Sequence, residues 1–231
     1  MNEFADPHVE LIAHTTLACN GRSPAIEGHM SLDPDAGDAQ QLVEFAGRAC
    51  YQSFHKPNPA TAKNGDYIAR TLHGQKHFSI AEHASATFYI TGVSRALTHE
   101  LVRHRHLSYS QLSQRFVDES DANIVIPPAA RGSEKLTWEF ENAAAGARHS
   151  YRELVEALLD SGLARKQARE AARAVLPNMV ETRVVVTGNL RAWHEVIERR
   201  TAPDADAEFQ QVAGLIRDEL QKLAPEVFPA P

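Results

Sequence analysis

Cysteine is almost missing from this sequence, with only Cys19 and Cys50 among 231 residues. The pair lacks metal-type or redox spacing, so no disulfide framework can be read from it, and a reducing, cytosolic setting fits best. They lie in LACNG and GRACY, where no nearby base would lower a thiol pKa, and interior packing is the role these contexts favour. Long apolar runs are also absent, and the opening MNEFADPHVE carries Glu and Asp where a signal peptide wants Lys or Arg. A soluble chain with no membrane partner is expected. Positive charge is not in excess: the net charge of -6 argues against general nucleic-acid binding, which usually leaves a whole domain basic. Finally, no GxGxxG follows a strand, no GxxxxGK motif ends in Ser or Thr, and no GxSxG elbow occurs. Dinucleotide or triphosphate binding by those loops, and the usual serine-hydrolase turn, are therefore excluded.

What is present is enough apolar residue, 43%, to bury one α/β core, with no repeat or linker that would divide residues 1–231. Alternation predicts strands over 8–17, 84–91 and 179–187, with Gly188-Asn189 turning the last into a helix reading LRAWHEVIERR. Helical spacing predicts helices over 39–51, 67–76, 93–106, 164–175 and 205–223. A long amphipathic helix is expected from Leu136 through Phe140, Ala143, Ala147, Tyr151 and Leu154 to Leu158, stopping near Ser161-Gly162. The last helix shows a core stripe of Phe209, Val212, Ile216, Leu220 and Leu223. Residues 52–66, with two prolines and Asn64-Gly65, predict a surface loop. Residues 107–113 predict a polar loop, because their hydroxyl side chains compete for the backbone.

Cationic residues are dense in one place: Arg103, Arg105 and Arg115, with His104 and His106, fall within thirteen residues. Such forks can grip phosphate oxygens in place of a glycine loop, so a small anionic partner is implied. On the predicted helix Arg103 and Arg105 would point about 200° apart and serve two different anions. Helix capping or surface ion pairing is the alternative use of the same residues. His99-Glu100 followed by His104 resembles a zincin motif, but histidines five apart diverge by about 140° and cannot share a metal from one helix face. No metal is expected. Ser108, Ser110 and Ser113 suit phosphate or backbone contacts better than nucleophilic attack, for want of an aligned base. A metallohydrolase and a non-catalytic nucleotide or RNA module remain the rival classes.

Taken as a run, Arg103-His104-Arg105-His106-Leu107-Ser108-Tyr109-Ser110-Gln111-Leu112-Ser113-Gln114-Arg115 resembles the RHRxxSxxxxSxR signature of the flavin-dependent thymidylate synthases, the ThyX family. Further landmarks agree in order: His77 with Glu82-His83, AREAARAVLP at 168–177, Asn189-Leu190-Arg191, and Arg200 followed by Ala205 and Glu208. The likeness spans roughly residues 8 to 228. It implies one α/β (α+β) domain with a mixed or antiparallel sheet flanked by helices, assembled as a homotetramer whose active sites lie between subunits. It implies FAD as cofactor, with NADPH and 5,10-methylenetetrahydrofolate as co-substrates in the methylation of dUMP to dTMP in the cytoplasm.

By the same resemblance FAD is met by Ser79, Arg103, His104, Arg105, Gln111, Asn189, Leu190 and Arg191, with His77 near the flavin and folate rings. Glu195 falls beside this set where relatives often carry Asn or His, and Phe116 stands where Tyr is common. The dUMP side would take Glu100, Leu101, Val102, Arg103, Gln111, Leu112, Ser113, Gln114, Arg115, Arg173 and Arg200. Arg200 matches the family arginine thought to ionise uracil N3, replacing the cysteine thiolate of ordinary thymidylate synthases.

Overall fold

The structure is a computed structural model that describes residues 4–18, 23–55 and 63–230. Cys19 and most of the proline-bearing part of the expected 52–66 loop lie outside these. In chain order the elements are β1 (His8–His14), α1 (Pro24–Glu27), α2 (Asp38–Tyr51), α3 (Asn64–Ile68) running into a π-helical turn over Ala69–Gly74, and a 3-10 turn at Phe78–His83. Then come β2 (Ser85–Ser94), α4 (Arg95–Leu101), β3 (Leu107–Gln111), a short 3-10 turn at Pro128–Ala130 and α5 (Glu134–Asp160). The chain ends with α6 (Arg165–Ala172), a 3-10 turn Arg173–Val175, β4 (Glu181–Asn189), α7 (Leu190–Arg200) and α8 (Ala207–Leu223).

The four strands form one antiparallel sheet in the order β1-β2-β4-β3. Period-two alternation sends Ala86, Phe88 and Ile90 of β2, and Val184 and Val186 of β4, into the core. Helices cover that face. Phe209, Val212, Ile216 and Leu220 of α8 are fully buried, as their spacing predicts. Trp193 of α7 sets its ring edge-on to Phe88 with centroids 5.0 Å apart, and its indole N–H donates to the Ala86 carbonyl at 3.1 Å. Gly188 makes this closeness possible, because a Cβ there would collide with Leu107 and press on the Trp193 ring.

Helix starts follow their caps. Ser94, Ser133, Asn189 and Asp206 each accept a backbone N–H three residues on, satisfying donors that a helix leaves orphaned. Buried Glu208 accepts from the Ser94 N–H at 2.7 Å and from its hydroxyl at 2.6 Å, tying α8 to the β2–α4 junction.

Several expectations are corrected. Residues 107–111 are strand, not loop: β4 supplies the backbone partners, Leu107 turns inward, and the Ser108 and Ser110 hydroxyls face outward. The expected helix over 93–106 is only α4, since β2 continues to Ser94 and tight turns follow Leu101, closed by Arg103 N–H to Glu100 and His104 N–H to Leu101. Tyr109 holds the turn by donating to the Leu101 and His104 carbonyls, both at 2.7 Å, and burial raises its phenol pKa to about 12. Asn64 is not a loop residue but a fully buried head of α3, bonded to Gln40 and Glu44. The α5 stripe is largely uncovered within the chain: only Ala144 and Tyr151 are buried, while Leu136 and Leu154 are exposed. Cys50 is exposed, contrary to the interior packing expected of it.

Candidate functional site

The turn after α4 decides the geometry of the cationic run. Released from a helix, Arg103 and Arg105 do not diverge but line one cavity of about 130 Å³ with His104, His106 and Arg199. Both are exposed and make no ion pair among the described residues. An adjoining cavity of about 210 Å³ opens at the start of α7, walled by Asn189, Arg191 and Glu82, and shares His106, Ala192 and Glu195 with the first. Here Arg191 is held by Glu82 at 2.5 Å and by Glu195 at 3.5 Å. Glu195 therefore points into the cleft, where its carboxylate is partly balanced by that guanidinium.

Behind this cleft lies Arg200 at the end of α7. Its Nε donates to His104 Nε2 at 3.0 Å, its Nη1 pairs with Glu100 at 2.8 Å, and its guanidinium lies 4.7 Å over the Phe209 ring. Because a guanidinium can only donate, His104 Nε2 must be the lone-pair nitrogen of a neutral ring. Burial, reinforced by the charges of Arg200 and Arg199, lowers the His104 pKa to about 4, which keeps it so. Arg200 is 17% exposed and Glu100 51%, so the pair is half open to a ligand that competes for the guanidinium.

A third cavity, about 480 Å³, lies between Gln114, Arg95, His99 and the α6 end with Glu170 and Arg173. Arg115 pairs with Glu170 at 2.6 Å on its rim. Gln111 bridges α4 and β4, its amide donating to Thr98 at 3.0 Å and Thr182 at 3.3 Å, and Leu112 pairs onward with the Arg183 carbonyl. Ser113 accepts backbone N–H groups from Phe116 and Val117, which shapes the following turn.

Not every expected residue joins these cavities. Ser79 is exposed on its own 3-10 turn, and His77 stacks against the exposed Tyr51 ring at 5.9 Å with a 3.4 Å bond to its hydroxyl. Leu101 and Leu190 have fully buried side chains, so they can meet a ligand only through backbone, whereas Val102 is exposed. Sequence reasoning overlooked Arg95 and gave Arg199 no site role, and although it counted His106 in the cationic run and Glu82 among the landmarks, it assigned neither to a cavity wall. Arg95 follows a serine cap at the strand–helix junction, a position that could have flagged it. Among the described residues no three His, Cys, Asp or Glu side chains form a metal-holding group.

Fold and cavities together define an antiparallel α/β protein whose phosphate-compatible surface is built from arginines instead of glycine loops. The sequence model of a family described as thymidylate synthase complementing protein matches residues 34–226. Proteins named flavin-dependent thymidylate synthase from Mycobacteroides abscessus and Mycolicibacterium gilvum are 50% and 51% identical over 99% of this chain and 91% of their own. One from Mycobacterium tuberculosis is 49% identical over the same shares. A crystal structure of thymidylate synthase X from Helicobacter pylori, solved with FAD and dUMP, shares the fold with a TM-score of 0.64, 20% identity, and 97% and 100% coverage of the two chains. The chain belongs to the flavin-dependent thymidylate synthase family.

Proposed function

We propose that this chain, as one domain over 1–231, is an FAD-dependent methyltransferase that converts dUMP to dTMP. Its carbon donor would be 5,10-methylenetetrahydrofolate, its reductant NADPH, and its working form a cytoplasmic homotetramer with sites between subunits. No helix of the described chain is long and apolar enough to cross a membrane. The observation that carries the proposal is the gathering of Arg103, Arg105 and Arg191 around adjoining cavities, in a chain half identical to named thymidylate synthases over nearly all its length.

The donor set fits FAD. Arg103 and Arg105, without ion pairs among the described residues, suit a diphosphate, and Asn189 and Arg191 add an amide and a guanidinium beside them. Cavities of about 130 and 210 Å³ are smaller than a drug-sized pocket of roughly 300–1,000 Å³, which supports completion of the site by neighbouring copies. Bound FAD, once reduced by NADPH, would supply the hydride that turns the transferred carbon into a methyl group.

The chain's own part is to hold and polarise dUMP. Ser113, Gln114, Arg115 and Arg173 offer a hydroxyl, an amide and two guanidinium groups to the 5′-phosphate, with Gln111, Leu112 and Arg103 alongside the nucleoside. Neutral His104 fixes the Nε edge of Arg200, which leaves the Nη edge, now on half-exposed Glu100, to face the uracil. A guanidinium beside N3 favours its anion and pushes electron density toward C5, which then attacks the folate methylene. No thiol is needed. Purified protein should be yellow and should form dTMP from dUMP only when methylenetetrahydrofolate and NADPH are both supplied. A colourless protein that forms no dTMP after incubation with FAD would overturn the proposal.

A further inference from the structure

Helix α7 turns one charged face to the proposed cofactor cleft. Arg191, Glu195 and Arg199 recur at four-residue spacing along it and line the two adjoining cavities, while Trp193 and Val196 turn into the core. With Arg103, Arg105 and Glu82, four guanidinium groups and two carboxylates face this cleft. The carboxylates are not equivalent. Glu82 touches one cavity only, whereas Glu195 belongs to the wall that both share with His106 and Ala192. A ligand long enough to fill both must pass over it. The side chains of Arg191, Glu82 and Glu195 are 42%, 44% and 42% exposed, so their ion pairs are screened by solvent and exchange readily. The Glu195 contact is the looser of the two, 3.5 Å from Arg191 Nε, and an arginine four residues before a glutamate is the weaker order for a helical pair.

We propose that Glu195 is a built-in competitor of the cofactor's diphosphate, which sets FAD affinity below what the four guanidinium groups of the cleft would give alone. The proposal rests on the assignment of that cleft to FAD. Two effects act in the same direction. Glu195 engages the Nε edge of Arg191, so a phosphate gains the whole fork of that guanidinium only by breaking the contact. Once the contact is broken, the negative charge still stands on the shared wall and repels the anion beside it. Glutamine has the same length and nearly the same helix propensity, so Glu195→Gln removes both effects and leaves the helix intact. A carboxylate whose task was to accept from the cofactor's sugar hydroxyls would act with the opposite sign, and its neutralisation would weaken binding.

The test is the equilibrium partition of FAD from the full-length holoprotein, read as free flavin in the ultrafiltrate over a dilution series, at about 20 mM and about 0.5 M salt. At the lower salt Glu195→Gln should lower the FAD Kd about fivefold, the size of effect expected of one half-exposed charge. At the higher salt, where the screening length is about 4 Å, the two proteins should agree within about twofold. Glu198→Gln is the control: Glu198 is exposed on the next turn of α7, lines neither cavity, and changes the net charge equally. Its Kd should equal that of the wild type. A Kd that is unchanged or raised in Glu195→Gln would overturn the proposal, and so would a gain that persists at high salt or an equal gain in Glu198→Gln. If the wild type retains no FAD, the cleft assignment falls and takes the proposal with it; if it retains FAD and both variants match it, only the role of Glu195 falls.

Discussion

Replacing Arg200 separates charge from geometry at the proposed reaction centre. Two unit charges about 4 Å apart interact by about 4 kcal/mol at an effective dielectric near 20, equivalent to roughly a thousandfold in the population of an N3 anion. Arg200→Ala should therefore lower kcat about a thousandfold. FAD content should not change, because the arginines beside the cofactor cleft are Arg103, Arg105, Arg191 and Arg199. Lysine keeps the charge but cannot hold His104 with one edge and present the other, so Arg200→Lys should fall between, about ten- to a hundredfold below wild type. Stability must be followed in parallel. The alanine variant loses a bond to neutral His104, a half-exposed pair with Glu100 discounted for solvent, and the contact over Phe209, together about 1–2 kcal/mol. That is a fall of several degrees in Tm, small enough for the protein to be assayed folded. Steady-state dTMP formation with flavin absorbance as the loading control is the assay. Turnover of Arg200→Ala within threefold of wild type would refute the activation of uracil by this guanidinium.

Two further outcomes follow from the packing. The His104 pKa is lowered from its ordinary value of 6.5 to about 4, so the folded state prefers the neutral ring. The stability it contributes is complete above pH 6.5 and is lost as pH falls toward 4, by at most about 3 kcal/mol, because the unfolded chain binds the proton first. Urea unfolding at pH 7.5 and pH 5 should show this loss, and His104→Gln should flatten it; equal pH dependence in both proteins would contradict it. Gly188→Ala puts a Cβ against Leu107 and Trp193, and should destabilise by about 1–3 kcal/mol in denaturant titration while weakening FAD retention through displaced Asn189 and Arg191. An unchanged midpoint would show that this junction yields freely.

Long periodic segments were readable because one side chain per turn faces the same core. The α8 stripe and the β4-to-α7 junction at Asn189 both emerged as expected. Residues 107–111 did not, because a run with two serines and a glutamine becomes strand only when β4 offers its edge, a partner more than seventy positions away. The same non-local step ended α4 early and turned Arg103 and Arg105 from diverging to converging side chains. The motif itself was readable as chemistry, whereas its support was not: the Arg200–His104 bond spans 96 positions. The uncovered face of α5 teaches the complementary lesson. Its apolar spacing was real, yet spacing alone cannot say whether the covering surface lies in the same chain.

The central claim is that arginines, with no cysteine nucleophile, prepare dUMP for carbon transfer from folate. Its most direct measurement is a single anaerobic turnover by the Cys19→Ser/Cys50→Ser double variant, loaded with FAD and reduced by NADPH, then mixed with dUMP and methylenetetrahydrofolate. The account predicts dTMP formation and flavin reoxidation at the wild-type rate, each requiring both substrates. Loss of dTMP with the flavin still bound and reduced would contradict it.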